Sequence, residues 1–133
     1  MNAFETPEAF FDSRLPEQAE TLRTIDAFIR THAPNLEPGV MRNHAAYGRY
    51  RYEGASGRAG EWFRVGLNRL ATQYALYITP SDGDVTLVES ARDRLGKVSL
   101  GRSCIRFADW SKVNHDTVAE LLQRADAIHR GGA

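Results

Sequence analysis

The sequence predicts an α+β fold: an antiparallel β-sheet of about five strands with N-terminal and C-terminal helices packed on it. Three observations predict it. Apolar residues recur at three- and four-residue spacing toward both ends of the chain, the mark of amphipathic helices. In the middle the spacing drops to two. The alternating segments follow one another with only short turn-forming stretches between them, which suits antiparallel neighbours; parallel strands need long crossovers.

The elements follow in order. Thr6 is an N-cap, Pro7 fits a first helical position and Glu8 suits the positive helix end, so a short helix is expected over about Pro7 to Ser13. Pro16 and Glu17 open a second helix on which Ala19, Leu22, Ile25 and Ile29 share a face, ending before Pro34. In "AYGRYRY", Tyr50 and Tyr52 alternate with Arg49 and Arg51, as in a half-buried strand with the two tyrosines inward. "ASGRAG" reads as a hairpin loop, and "EWFRVGLNRL" resumes the alternation with Phe63, Val65 and Leu67 inward and Trp62, Arg64 and Gly66 outward. "QYALYITP" is a third strand, stopped by Pro80 and the "SDGD" turn. Asp84 is placed to cap a helix carrying Val85, Val88, Ala91 and Leu95, with Gly96 to end it. "KVSLGRSCIRF" is one extended strand bent at Gly101 or two short ones, and a helix from near Asn114 buries Val118, Leu121, Leu122, Ala125 and Ile128.

Length and composition set the bounds. The 133 residues suit one domain over 1–133, with loose tails expected at about 1–5 and 129–133. The hydrophobic share of 42% is that of a globular protein, and no apolar run approaches the length of a membrane span. The N-terminus lacks the basic and apolar blocks of a signal peptide, so a cytoplasmic location with no membrane partner is expected. One cysteine makes no internal disulfide and no Cys-rich zinc site.

The formal charge is zero, but its distribution is uneven. Residues 1–41 hold seven acids and three bases, while residues 42–106 hold eleven bases and six acids. Fifteen of the seventeen bases are arginine, whose planar fork suits bidentate contact with carboxylate or phosphate; a high-GC genome would also enrich arginine. With no basic excess over the whole chain, a nucleic-acid partner is not expected.

His32, His44, His115 and His129 show no metal-ligand spacing, and no nucleophile elbow, phosphate loop or dinucleotide fingerprint is present. Glu5, Glu8, Asp12, Glu17 and Glu20 crowd the first helices, either as a solvated face or as a hard-cation surface. Alternation gathers arginines from three segments on the outward sheet face. Tyr47, Arg49 and Arg51 come from one strand, Trp62 and Arg64 from the next, and Arg102, Cys104 and Arg106 from the last, opposite Ile105 and Phe107. Such a face suits a small anion, an acidic planar ligand or an acidic protein segment; it also suits plain solvation or a second subunit in a homo-oligomer. Arg102 and Arg106 would lower the pKa of a Cys104 thiol, but no histidine is tied to it, so it reads as lining and not as the nucleophile of a thiol-dependent enzyme. No catalytic residue, metal ligand or cofactor is assigned.

Three pieces carry a family resemblance: the helix ending "APNLEP", the strand "AYGRYRY" and the block "GKVSLGRSCIRF". From about Phe10 to the last helix the chain resembles the YdhG-like domain family, mostly bacterial proteins of unknown function, whose glycine-rich block is similar to that last segment. Arg102 stands where lysine is frequent, and "NHAAY" lacks the proline common beside the Tyr47 position. The resemblance implies an α+β fold with helices packed on an antiparallel sheet. Through one branch it also implies a frataxin-like intracellular iron chaperone.

Overall fold

The computed structural model describes residues 4–53, 57 and 59–130. Helix α1 (Pro7–Asp12) starts as expected: the Ala9 N–H donates to the Thr6 hydroxyl, and Pro7 sits where a missing N–H leaves nothing unsatisfied. Helix α2 (Pro16–His32) buries Ala19, Leu22, Ile25 and Ile29 and stops at Ala33, before Pro34. Helix α4 (His115–Arg130) turns Val118, Leu121, Leu122 and Ala125 inward. These helices pack on one face of the sheet, α1 against β2 (His44–Glu53), α2 and α4 against β3 (Ala59–Arg69).

Among the described residues the sheet has six strands, every neighbouring pair antiparallel. Its order is β1 (Pro38–Met41), β2, β3, β4 (Tyr74–Ile78), β8 (Cys104–Phe107) and β7 (Ser99–Leu100). Strand β1 is the addition to the five expected from sequence. Its four residues carry no alternation, and it exists because Arg42 (φ 51°) and Asn43 (φ 59°) form a tight two-residue turn onto β2. Pro38, with no N–H, blunts that open edge.

The helix expected to start at Asp84 begins later. Ser81–Asp82 (β5) and Val85–Thr86 (β6) pair across Gly83, and Thr86 caps α3 (Leu87–Ser90). Thr86 and Glu89 satisfy each other's backbone N–H groups in a capping box, which outcompetes a cap at Asp84. A short 3-10 turn over Arg92–Arg94 follows, and Gly96, at φ 86°, closes the segment as expected.

Facing is where the structure departs from simple alternation. Ala45, Tyr47, Val65, Leu67, Leu76, Ile78, Ile105 and Phe107 belong to the core under the helices. Tyr47 was expected outward and is fully buried, its hydroxyl donating to Asp26 Oδ1 at 2.6 Å; Tyr52, expected inward, is 47% exposed. The reversal centres on Gly48, whose φ of 72° breaks the alternation between Tyr47 and Arg49. A Cβ there would lie 2.5 Å from Leu36 Cδ2 and 3.2 Å from Arg64 Cγ, so Arg64 crosses over a strand that must be glycine. Arg64 therefore lies on the helix side with Val65, and Phe63 turns to the opposite face with Met41 and Ala46.

Of the tails expected to be loose, Phe4 packs on Phe10 and His129 lies within α4; residues 1–3 and 131–133 fall outside the described residues. The expected "ASGRAG" loop falls partly outside them too, at Ala55, Ser56 and Arg58, while Ala59 and Gly60 already belong to β3. Among the described residues no helix is long and apolar enough to cross a membrane.

Candidate functional site

The segment that the sequence left as one bent strand or two short ones is a hairpin: β7 and β8 are joined by the three residues Gly101, Arg102 and Ser103. The Gly101 N–H donates to the Cys104 carbonyl at 2.9 Å, closing the turn. It is also pinned from the side, because the Thr86 hydroxyl donates to the Arg102 carbonyl. The capping box of α3 thus holds both its own helix and the turn.

Between them runs a groove of about 330 Å³ lined by Glu89, Arg92, Leu100, Gly101 and Arg102. Arg106 approaches the same turn, its Nη2 3.6 Å from where a Cβ on Gly101 would stand. Among the described residues none of Arg92, Arg102 and Arg106 has an ion-pair partner. Glu89 is held below the usual carboxylate range, first by the Thr86 N–H and hydroxyl and then by Arg102 and Arg92. Arg92 and Arg102 against the one carboxylate of Glu89 leave a net positive groove, with Arg106 close to the same turn, suited to forked hydrogen bonds to an oxyanion.

Cys104 and Arg106 lie on the sheet face away from the helices, as alternation with Ile105 and Phe107 requires. Cys104 is 8% exposed, with Tyr77 as its cross-strand neighbour. Burial pushes the thiol up, and Arg106 and the neighbouring Tyr77 hydroxyl offset this only in part. Burial that raises a thiol's pKa disfavours the reactive thiolate.

The other sequence candidates do not join this site. Arg64 is 6% exposed, with its guanidinium 3.8 Å from the Tyr50 ring centre and its Nε donating to His129 Nδ1 at 3.5 Å. Arg49 pairs with Glu61 at 2.8 Å, Arg51 is exposed beside it on β2, and Tyr47 belongs to the core. Trp62 stacks on Phe63 at 4.6 Å, and the Arg42 guanidinium lies over the Trp62 ring at 5.3 Å from its centre.

Of the N-terminal carboxylates, Glu8 pairs with Arg30 and Asp12 with Arg23. Among the described residues no three His, Cys, Asp or Glu side chains come together as a metal-binding group. Sequence reasoning missed Arg92, Glu89 and Thr86. The Thr-x-x-Glu spacing of Thr86 and Glu89 was a readable signal, but nothing local says that this cap also clamps a turn sixteen residues on. No protein-family model, curated protein or solved structure matches the chain.

Proposed function

We propose that the chain is a cytoplasmic YdhG-like domain, without enzymatic activity, that binds a small anionic ligand at the β7–β8 turn. The observation that carries this reading is the trio Arg92, Arg102 and Arg106, which bring three guanidinium groups to one pinned turn with no ion-pair partner among the described residues. Glu89 offsets only part of the positive charge gathered there, so holding these like charges together is unfavourable until an anion arrives, and the clamp from Thr86 means the turn loses little freedom on binding. A groove of about 330 Å³ is of small-molecule size, which favours a metabolite over an acidic protein segment.

A screen of phosphorylated and carboxylated metabolites by calorimetry at low salt tests this. The parent protein binds at least one of them, and Arg102→Ala with Arg106→Ala weakens that binding by about tenfold or more, the scale of losing one charge-assisted contact. Equal affinity in the double variant counts against the site.

A further inference from the structure

The open face of the sheet carries a second feature beside Arg106. Tyr77 stands opposite Cys104 across the β4–β8 pair, and Arg106 is two residues along β8, so the phenol and the guanidinium are diagonal neighbours on one face. The Tyr77 hydroxyl feels both Cys104 and Arg106. On its other side Tyr77 meets His44 edge-on at 5.1 Å and Phe63 at 6.2 Å, and Phe63 stacks with Trp62.

These rings spread over a floor without bulk: Ala46, Gly66 and Tyr77 are successive cross-strand partners. A Cβ on Gly66 would come within 2.4 Å of the Phe63 ring, so glycine is what lets that ring lie flat on the sheet. Tyr77, His44 and Trp62 are only half-buried, and none of α1, α2 or α4 covers them, since those helices pack on the other face. Charge frames the rings at both ends. Arg42 lies over Trp62 and Arg106 flanks Tyr77, and neither has an ion-pair partner among the described residues.

We infer that this platform holds a planar heterocycle whose anionic group reaches Arg106 and the β7–β8 turn, making the ligand a nucleoside monophosphate. This rests on the anion site proposed above. The half-exposed Tyr77 ring, held edge-on to His44 and Phe63, is a π-surface for a flat heterocycle, and a phosphate matches the guanidinium of Arg106 beside it. Spanning from Gly66 across β4 to Arg106 takes two strand spacings, on the order of 10 Å, comparable with the reach from a base to its phosphate.

The test compares three probes on the unaltered chain: AMP, ribose 5-phosphate and adenosine, each by calorimetry at low salt. AMP binds about tenfold or more tighter than ribose 5-phosphate, the scale of one base stacked on an aromatic ring, and adenosine binds weakest. Tyr77→Ala closes the gap by weakening AMP alone, Tyr77→Phe keeps the gap because the ring remains, and Arg106→Gln weakens both phosphates. Equal affinity for AMP and ribose 5-phosphate overturns the platform while leaving the anion site standing. Binding of adenosine as tightly as AMP overturns the link to Arg106. Absence of AMP binding overturns the platform, while the metabolite screen above decides the anion site on its own.

Discussion

Two groups of arginines behave differently in this molecule. On the long β2–β3 hairpin Arg64 lies over Tyr50 and bonds to His129, and Arg49 is held by Glu61. At the short β7–β8 hairpin Arg92, Arg102 and Arg106 gather with no ion-pair partner among the described residues. Arg49, Arg64, Arg102 and Arg106 all sit on antiparallel strands or their turns and looked alike in sequence, while Arg92 joins the second group from a 3-10 turn. What separates them is whether the fold supplies partners. The first group is engaged within the fold, while the second, without ion-pair partners among the described residues, is the group proposed above to bind an anion.

That contrast can be broken from either side. Arg64→Ala removes a buried cation from its ring and its imidazole, and we expect a loss of about 2–3 kcal/mol in urea unfolding with anion affinity unchanged. Arg102→Ala with Arg106→Ala, by contrast, should leave the unfolding midpoint nearly unmoved, within about 0.5 kcal/mol. A stability loss for the turn variant comparable with that of Arg64→Ala would erase the distinction.

The engaged side extends into the core, where Tyr47 donates to Asp26 and Asp26 also accepts from Arg30. Burial first, then Asp26, raises Tyr47 well above the usual value of 10.0 for a phenol. Above that pH the unfolded chain releases a proton that the folded chain keeps, so stability falls as pH climbs past about 10. Tyr47→Phe should lower stability by about 1–2 kcal/mol near neutrality and flatten that alkaline slope, read from urea midpoints at successive pH values. An unchanged slope would show that another group titrates there.

The smallest effect is expected at Arg49. Both members of its pair with Glu61 are about half exposed, so Glu61→Gln should change stability by no more than about 0.5 kcal/mol. The informative readout is binding. If releasing Arg49 creates new affinity for the anion bound at the β7–β8 turn, occupancy by Glu61 is what kept the long hairpin silent. If it does not, engagement by Glu61 is not what keeps Arg49 silent, although Arg49 lines a groove of about 270 Å³ with Glu37, Gly48 and His129.

Much of the fold was legible because its signals are local. Thr6 and Pro7 start α1, Pro34 stops α2, and Ile105 with Phe107 fixes the facing of Cys104 and Arg106. Alternation failed on β2 and β3 for a specific reason: one left-handed residue, Gly48, shifts the parity, and both Tyr47 and Arg64 follow it. Half of the arginine site was therefore read on the right face and half was not. Arg92 went unnoticed because it lies in a 3-10 turn that only packing brings to Gly101.

The sequence alone determined the periods, the caps and hence the antiparallel layering with helices at both ends, since each of these depends on residues only two to four positions apart. Only the tertiary structure decided which charges are engaged. Arg64 meets His129 across 65 residues, Tyr47 meets Asp26 across 21, and Thr86 pins the Arg102 turn across 16. No local pattern encodes those meetings. They follow from how the chain packs, and they leave Arg92, Arg102 and Arg106 without ion-pair partners among the described residues.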